Sequence, residues 1–281
     1  MPKESFEQFF KRQKEKLDKA EKMVERVKER LKTEEVEKKI EEYIEKSVKK
    51  LKRLWAENEE KIRKKDYWDG TFSFISSFPL PETSPSFLER ISNKFLKEFD
   101  WKKFEGRKFL EDDLGLFLSA FLHKNTENYI SSQKKKGIKE KNIKPIKIHL
   151  DVKELPVRLS MLGYQNPEKL HLTIEGDCEK FTGIKMQGGK IIVKGNCRNS
   201  TGYEMEKGEI IVEGNCRNGT GWQMEGGELN IKGEVKSFDE SAFYSTNKGT
   251  IIWKNTKIWE KGNWTKEGKE MWEKGEIPVE G

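Results

Sequence analysis

Three thiols recur at Cys178, Cys197 and Cys216, 19 residues apart each time. Evenly spaced thiols are the side chains here with the most chemistry to offer, as soft-metal ligands or as a redox group. Their setting argues against both. There is no Cys-x-x-Cys pair, and no histidine stands at ligand spacing from any of the three. The column is predicted to be small buried side chains that follow from a repeat. His123, His149 and His171 are scattered, and no HExxH, Walker-type phosphate loop or GxSxG elbow is present. Asp112 and Asp113 lie in a helical charge pattern that reads as a solvated face. The sequence therefore predicts no catalytic residue, no metal ligand and no cofactor-binding residue.

The element that sets these spacings is a 19-residue repeat. Gly176, Gly195, Gly214 and Gly233 mark it, and its clearest copies run from Val193 to Ile210 and from Val212 to Leu229. A fixed short period signals a unit that buries apolar surface by stacking on copies of itself. Strands of four to five residues, such as Lys190–Lys194 and Glu209–Glu213, run into Gly-Asn pairs suited to positive φ. These features predict a right-handed parallel β-helix with 19-residue coils.

Strand alternation sends Leu172, Ile191, Ile210 and Leu229 inward, together with Ile174, Val193, Val212 and Ile231. Ile192 and Ile211 then point outward as an apolar patch, predicted to dock the helix around Phe117 or a partner. Asn196 and Asn215, stacked below Asp177, are expected to form an amide ladder, and Met186, Met205 and Met224 a core column. Ile184, Tyr203 and Trp222 form a further column at a turn. Exposed there, Tyr203 and Trp222 make a protein-binding stripe, and buried they are core.

Ahead of the repeat the pattern is helical. Phe6, Phe10, Gln13, Leu17, Ala20, Val24, Val27 and Leu31 follow the 4, 3 spacing of a heptad seam. Phe6, Phe10, Leu17, Val24, Val27 and Leu31 are the candidate assembly residues, for self-association or for a protein partner. A second amphipathic stretch starts at Val36 after a break in phase. Lys32-Thr33 reads as the tight turn of a helical hairpin with Thr33 as N-cap, and the alternative is a stutter in one long helix. Thr71–Pro79 alternates and reads as an isolated strand or ordered loop, Ser84-Pro85 starts a helix, and a nearly all-apolar helix spans Leu110–Leu122. Trp259, Trp264 and Trp272 in the tail are expected to cap the open end of the β-helix.

The expected fold class is thus α+β, a helical or coiled-coil region followed by the β-helix. Five segments result: a hairpin or coiled-coil arm (1–66), helices packing on the solenoid (67–132), a basic linker (133–147), the β-helix (148–258) and a Trp-rich cap (259–281). Charged residues make up 37% of the chain, a thermophile-like composition, and no apolar run is long enough to span a bilayer. With no signal-peptide pattern, the expected location is cytoplasmic and no membrane partner is expected. The net charge of +7 is concentrated in Gln133–Lys147, which holds seven Lys against one Glu. That linker raises nucleic acid as a partner, although such runs are usually only solvated.

The unit carried by Gly195-Asn196, Gly202, Met205, Gly208, Ile210 and Val212 returns in Gly214-Asn215, Gly221, Met224, Gly226-Gly227, Leu229 and Ile231. It resembles the GXGXG β-helix domain found in the glutamate synthase large subunit and in formylmethanofuran dehydrogenase. The resemblance covers about Leu155 to Asn255 and implies a structural scaffold beside catalytic partners. The chain lacks any amidotransferase, flavin-binding or iron–sulfur region. Three functions follow as expectations: a non-catalytic scaffold with a helical assembly arm, an accessory component of a redox enzyme complex related to those two enzymes, or a nucleic-acid- or ribosome-associated module.

Overall fold

The computed structural model describes residues 6–64, 68–104, 106 and 109–280; between Phe6 and Lys32 it describes the side chains of Met23, Arg26, Val27, Glu29 and Arg30 alone, and Phe104 by its backbone. Helices α1 (Phe6–Arg63), α2 (Trp68–Ser76), α3 (Pro85–Lys97) and α4 (Leu110–Lys135) come first. Strands β1 (Ile146–Asp151), β2 (Leu170–Glu175), β3 (Gln187–Val193), β4 (Lys207–Val212), β5 (Glu228–Ile231), β6 (Phe238–Asp239) and β7 (Thr250–Trp253) follow. Then come β8 (Thr256–Glu260), β9 (Asn263–Trp264), α5 (Lys266–Glu273) and β10 (Val279–Glu280). The arrangement is α+β, with helices joined to a parallel β-solenoid. Two compact units divide between Ser47 and Val48.

Helix α1 is the element of the first unit. It runs without a break through Lys32-Thr33, so the favoured hairpin is not formed. Thr33 does not cap a new helix: its hydroxyl donates to the Glu29 carbonyl 2.9 Å away, one turn back. That bond satisfies the side chain inside a continuous helix and removes the reason to turn. Arg30 pairs with Glu34 at 3.1 Å and Lys39 with Glu35 at 2.8 Å, each four residues apart. Such pairs add a few tenths of a kcal/mol each, about 0.2–0.5.

In the second unit, Leu51, Leu54 and Trp55 of α1 are buried. Trp55 meets Phe99, two residues past α3, and Phe117 of α4 edge-on at 5.7 and 5.5 Å, which joins α1, the segment after α3 and α4 around one apolar core. The Thr71–Pro79 stretch expected as a strand or loop forms helix α2 up to Ser76. Phe72 and Ile75, three residues apart, are both buried, so the helical period wins over the Phe72/Phe74 alternation. Helix α4 continues past Leu122 to Lys135 and takes the first residues of the expected basic linker into its last turn.

Strands β1, β2, β3, β4, β5 and β7 pair in parallel in that order. Ile148, Leu172, Ile191, Ile210, Leu229 and Ile251 stack in register and are buried, as are Leu150, Ile174, Val193, Val212 and Ile231. The inward half of the alternation is therefore as expected. Both ends of the ladder are covered. On β1, Asn93 of α3 donates to the His149 carbonyl at 2.6 Å and accepts from the Asp151 N–H at 2.9 Å. At the far end β8 and β9 turn antiparallel on β7, and Trp259 and Trp264 meet edge-on at 5.3 Å beside α5. Both devices remove the free strand edge that would otherwise recruit another chain.

The Phe117 helix, α4, does not use the Ile192/Ile211 face. It lies against the loop before β2, where Ser119 donates to the Met161 carbonyl at 3.0 Å and accepts from the Gly163 N–H at 3.1 Å. Gly115 permits this contact, because a Cβ there would strike the Ser160 carbonyl. A glycine in mid-helix thus selects the docking site.

The Gly-Asn corner also differs from expectation. Gly195, Gly214 and Gly233 are not among the positive-φ residues. Their glycines are needed for close approach: a Cβ on Gly214 would lie 2.7 Å from the Gly195 carbonyl oxygen and 2.6 Å from Asn196 Oδ1. The neighbouring Asn column explains the squeeze. Asp177 Oδ1 accepts from the Asn196 N–H at 2.8 Å, Asn196 Oδ1 from the Asn215 N–H at 2.9 Å, and Asn215 Oδ1 from the Glu234 N–H at 2.7 Å.

Candidate interaction surface

At a second turn of each coil the backbone alternates into the left-handed region. Phe181, Gly183 and Lys185 have φ of 59°, 70° and 52°; Ser200, Gly202 and Glu204 have 56°, 73° and 50°. In the next coil Gly219, Gly221 and Gln223 repeat it at 65°, 78° and 50°. Here glycine is favoured by conformation. Ile184 of the column at this turn is buried, Tyr203 is half-buried and Trp222 is 38% exposed.

The rings at this turn form a continuous stack. Trp222 lies 4.6 Å from Tyr203, Tyr203 lies 5.9 Å from Phe181, and Trp68 of α2 lies 4.5 Å from Phe181 and 6.3 Å from Tyr203. Tyr203 is therefore covered by other rings, and Trp222 is the solvent end of the stack. A large ring held in place by its neighbours loses little conformational freedom on binding, which suits it as an anchor.

Asp69, next to Trp68, ties α2 to the same turn. It accepts from the Tyr164 hydroxyl, from Lys185 Nζ and from Gln165 Nε2, the last at 3.2 Å, and Lys185 also pairs with Glu204 at 3.4 Å. Burial opposes charge on Asp69, but Lys185 and the Tyr164 hydrogen bond outweigh it and hold the carboxyl below its ordinary value. Burial, reinforced by Asp69, pushes the Tyr164 phenol up, and burial with Glu204 nearby pushes Tyr203 up to about 12.

A cleft of about 590 Å³ opens beside Asp69, walled by Phe72, Ser76, His123 and Gln165. His123 meets Phe72 edge-on at 5.5 Å, and burial holds its imidazole below the ordinary value, so it is neutral at pH 7. No hydroxyl, thiol or carboxylate is hydrogen-bonded to it among the described residues. Cys178, Cys197 and Cys216 are free and buried. Cys197 sits between the other two, and its sulfur together with burial pushes the Cys178 and Cys216 thiols up. Among the described residues no group of three or more His, Cys, Asp or Glu is placed to hold a metal ion.

The remaining residues singled out by sequence fall apart from the stack. Ile192 and Ile211 are register neighbours on the outer side of β3 and β4, half-buried between the pairs Lys190–Glu209 and Lys194–Glu213, both at 2.7 Å. Of the seam, Val27 is 48% exposed. Phe6, Phe10, Leu17, Val24 and Leu31 have side chains outside the described residues. Sequence reasoning missed Trp68, Asp69, Phe181 and Lys185. Phe181 has Ser200 and Gly219 as its repeat partners, and Trp68 lies outside the repeat, so no periodicity marks either.

No family model, no curated protein and no solved structure matches the chain. Among the described residues, no helix is long and apolar enough to cross a membrane.

Proposed function

We propose that the chain is a non-catalytic scaffold: a right-handed GXGXG-type β-helix of 19-residue coils, carrying a helical arm that pairs with a second copy. One observation carries this reading. Met23, Val27 and Val36 are 69%, 48% and 55% exposed on α1, in a unit where α1 is the element described. A lone amphipathic helix in water gains little from propensity alone, and its stability comes from packing its apolar face. The 4, 3 spacing from Phe6 to Leu31 is the pattern that packs against a like helix. The exposed end of the aromatic stack at Trp222 is then the surface left for other proteins.

Hydrogen exchange of the full chain tests the arm. The amides of residues 23–43 are expected to be protected at high protein concentration and to lose protection on dilution, while strands β2 to β5 keep theirs. Fast exchange of the arm at every concentration would sink the reading.

A further inference from the structure

Several outward charges of the solenoid alternate in sign from coil to coil, although Asp151 faces Glu175 and Glu209 faces Glu228. Lys190 pairs with Glu209 and Lys194 with Glu213, each at 2.7 Å across adjacent coils. Lys153 pairs with Glu175 at 2.9 Å and Lys254 with Glu234 at 2.7 Å. Opposite charges on neighbouring strands support the ladder, and like charges directly opposite weaken it. The column just after the cysteines departs further, because after Glu179 three cations, Arg198, Arg217 and Lys236, succeed one another. The Cys178–Cys197 and Cys216–Val235 bridges set its register. Arg198 Nη1 reaches Glu179 at 3.2 Å, but Arg217 and Lys236 are exposed and have no carboxylate partner among the described residues.

A groove of about 260 Å³ lies beside Arg198 and Arg217, lined also by Arg158, Asp177, Asn196 and Asn215, with Cys178 and Cys197 contributing to its wall, and Lys236 continues the column one coil beyond it. Its donors outnumber its acceptors. Asp177 is taken up by the Asn196 N–H and amide, at 2.8 and 3.1 Å, and by Arg158 Nε at 3.3 Å. Asn215 uses its Oδ1 on the Glu234 N–H and has no acceptor for its Nδ2 among the described residues. Three cations one coil apart span two strand spacings, about 10 Å. Stacked like charges with spare N–H donors are stabilised by an anion lying along them.

We propose that this groove binds a linear phosphate anion, such as a condensed phosphate or the phosphate tail of a nucleotide. Guanidinium forks and an amide donor match phosphate oxygens, and the line of charges selects a chain of phosphates over a single one. The site rests on the corner of the β-solenoid and is independent of the scaffold reading and of the arm.

Calorimetry of the full chain with inorganic tripolyphosphate tests it. The wild-type chain is expected to bind tripolyphosphate at least about tenfold more tightly than orthophosphate. R217E/K236E is expected to lose at least about tenfold in affinity, while Lys232→Ala, on the alternating column, stays within about twofold. The melting temperature of R217E/K236E should stay close to that of the wild type, because the substitutions turn the 198/217 neighbours into an opposite pair and leave the 217/236 neighbours like-charged as before. Asn215→Asp is the second variant, since Asp177 already fills the equivalent ladder position. It keeps the acceptor, replaces the free donor with a carboxylate, and should weaken binding while leaving the fold intact. ATP in place of tripolyphosphate separates the sources: equal affinity assigns recognition to the phosphates, and tighter binding adds a base contact. No binding by the wild-type chain, retention by R217E/K236E or by folded Asn215→Asp, or an equal loss in Lys232→Ala would overturn the proposal.

Discussion

The two glycine-bearing corners of the solenoid repeat at the same interval and use glycine for opposite reasons. At the Gly195, Gly214 and Gly233 corner the backbone is ordinary in φ and the glycines let one coil sit on the next. At the Gly183, Gly202 and Gly221 corner φ is 70° to 78°, and beside Gly202 there is room for a methyl, with the nearest atom 3.6 Å from an added Cβ. The first corner commits its side chains to holding coils together through the Asp177, Asn196 and Asn215 ladder. At the second, the atoms nearest an added Cβ on Gly183, Gly202 or Gly221 belong to side chains and not to backbone, and the column runs Ile184, Tyr203, Trp222. A repeat varies where its backbone alone makes the turn, and there it is free to build a surface.

Alanine at each corner separates the two causes. Gly214→Ala is expected to cost about 3 kcal/mol in chemical denaturation, because its Cβ meets backbone that cannot retreat. Gly202→Ala should cost about 1–2 kcal/mol, the strain of a left-handed residue without a clash. Equal losses would erase the distinction between the corners. Next in size, Asn215→Ala is expected to lose about 1 kcal/mol by orphaning the Glu234 N–H, a loss that Asn215→Asp should spare. Trp222→Ala should leave stability within about 1 kcal/mol, since it removes one exposed ring contact. The smallest effect is in pH. Tyr203 has a folded pKa raised to about 12, so its contribution is present below pH 10 and fades as pH rises from 10 toward 12. Tyr203→Phe should therefore flatten the fall of the melting temperature across that window, and an unchanged slope would show that the phenol does not titrate with folding.

How legible these features are in the sequence depends on the same contrast. Ile191, Ile210 and Leu229 are readable as core because the period places equivalent residues in register, and alternation then decides which face each takes. Gly195 and Gly214 are readable as required but not as to cause, since close approach and positive φ leave the same letter. The stretch Thr71–Ser76 misleads because six residues fit either a two-residue or a 3.6-residue period, and burial against Tyr164 decides. Thr33 misleads because a hydroxyl serves a cap and an interior helix position alike. The Trp68–Asp69 contact with Phe181 and Lys185 joins residues more than a hundred positions apart, and one sequence carries no signal of that pairing.

The arm and the solenoid differ most in what they leave unsatisfied: the solenoid's end strands are covered by α3 and by β8 and β9, and the arm leaves Met23, Val27 and Val36 open. Sedimentation velocity of the full chain at tens of micromolar, alongside Val27→Glu/Val36→Glu, measures that difference directly. The wild-type chain is expected to sediment as a dimer and the variant as a folded monomer with unchanged β-sheet signal. A monomeric wild-type chain, or a variant that remains dimeric, would contradict the assignment of the arm to assembly.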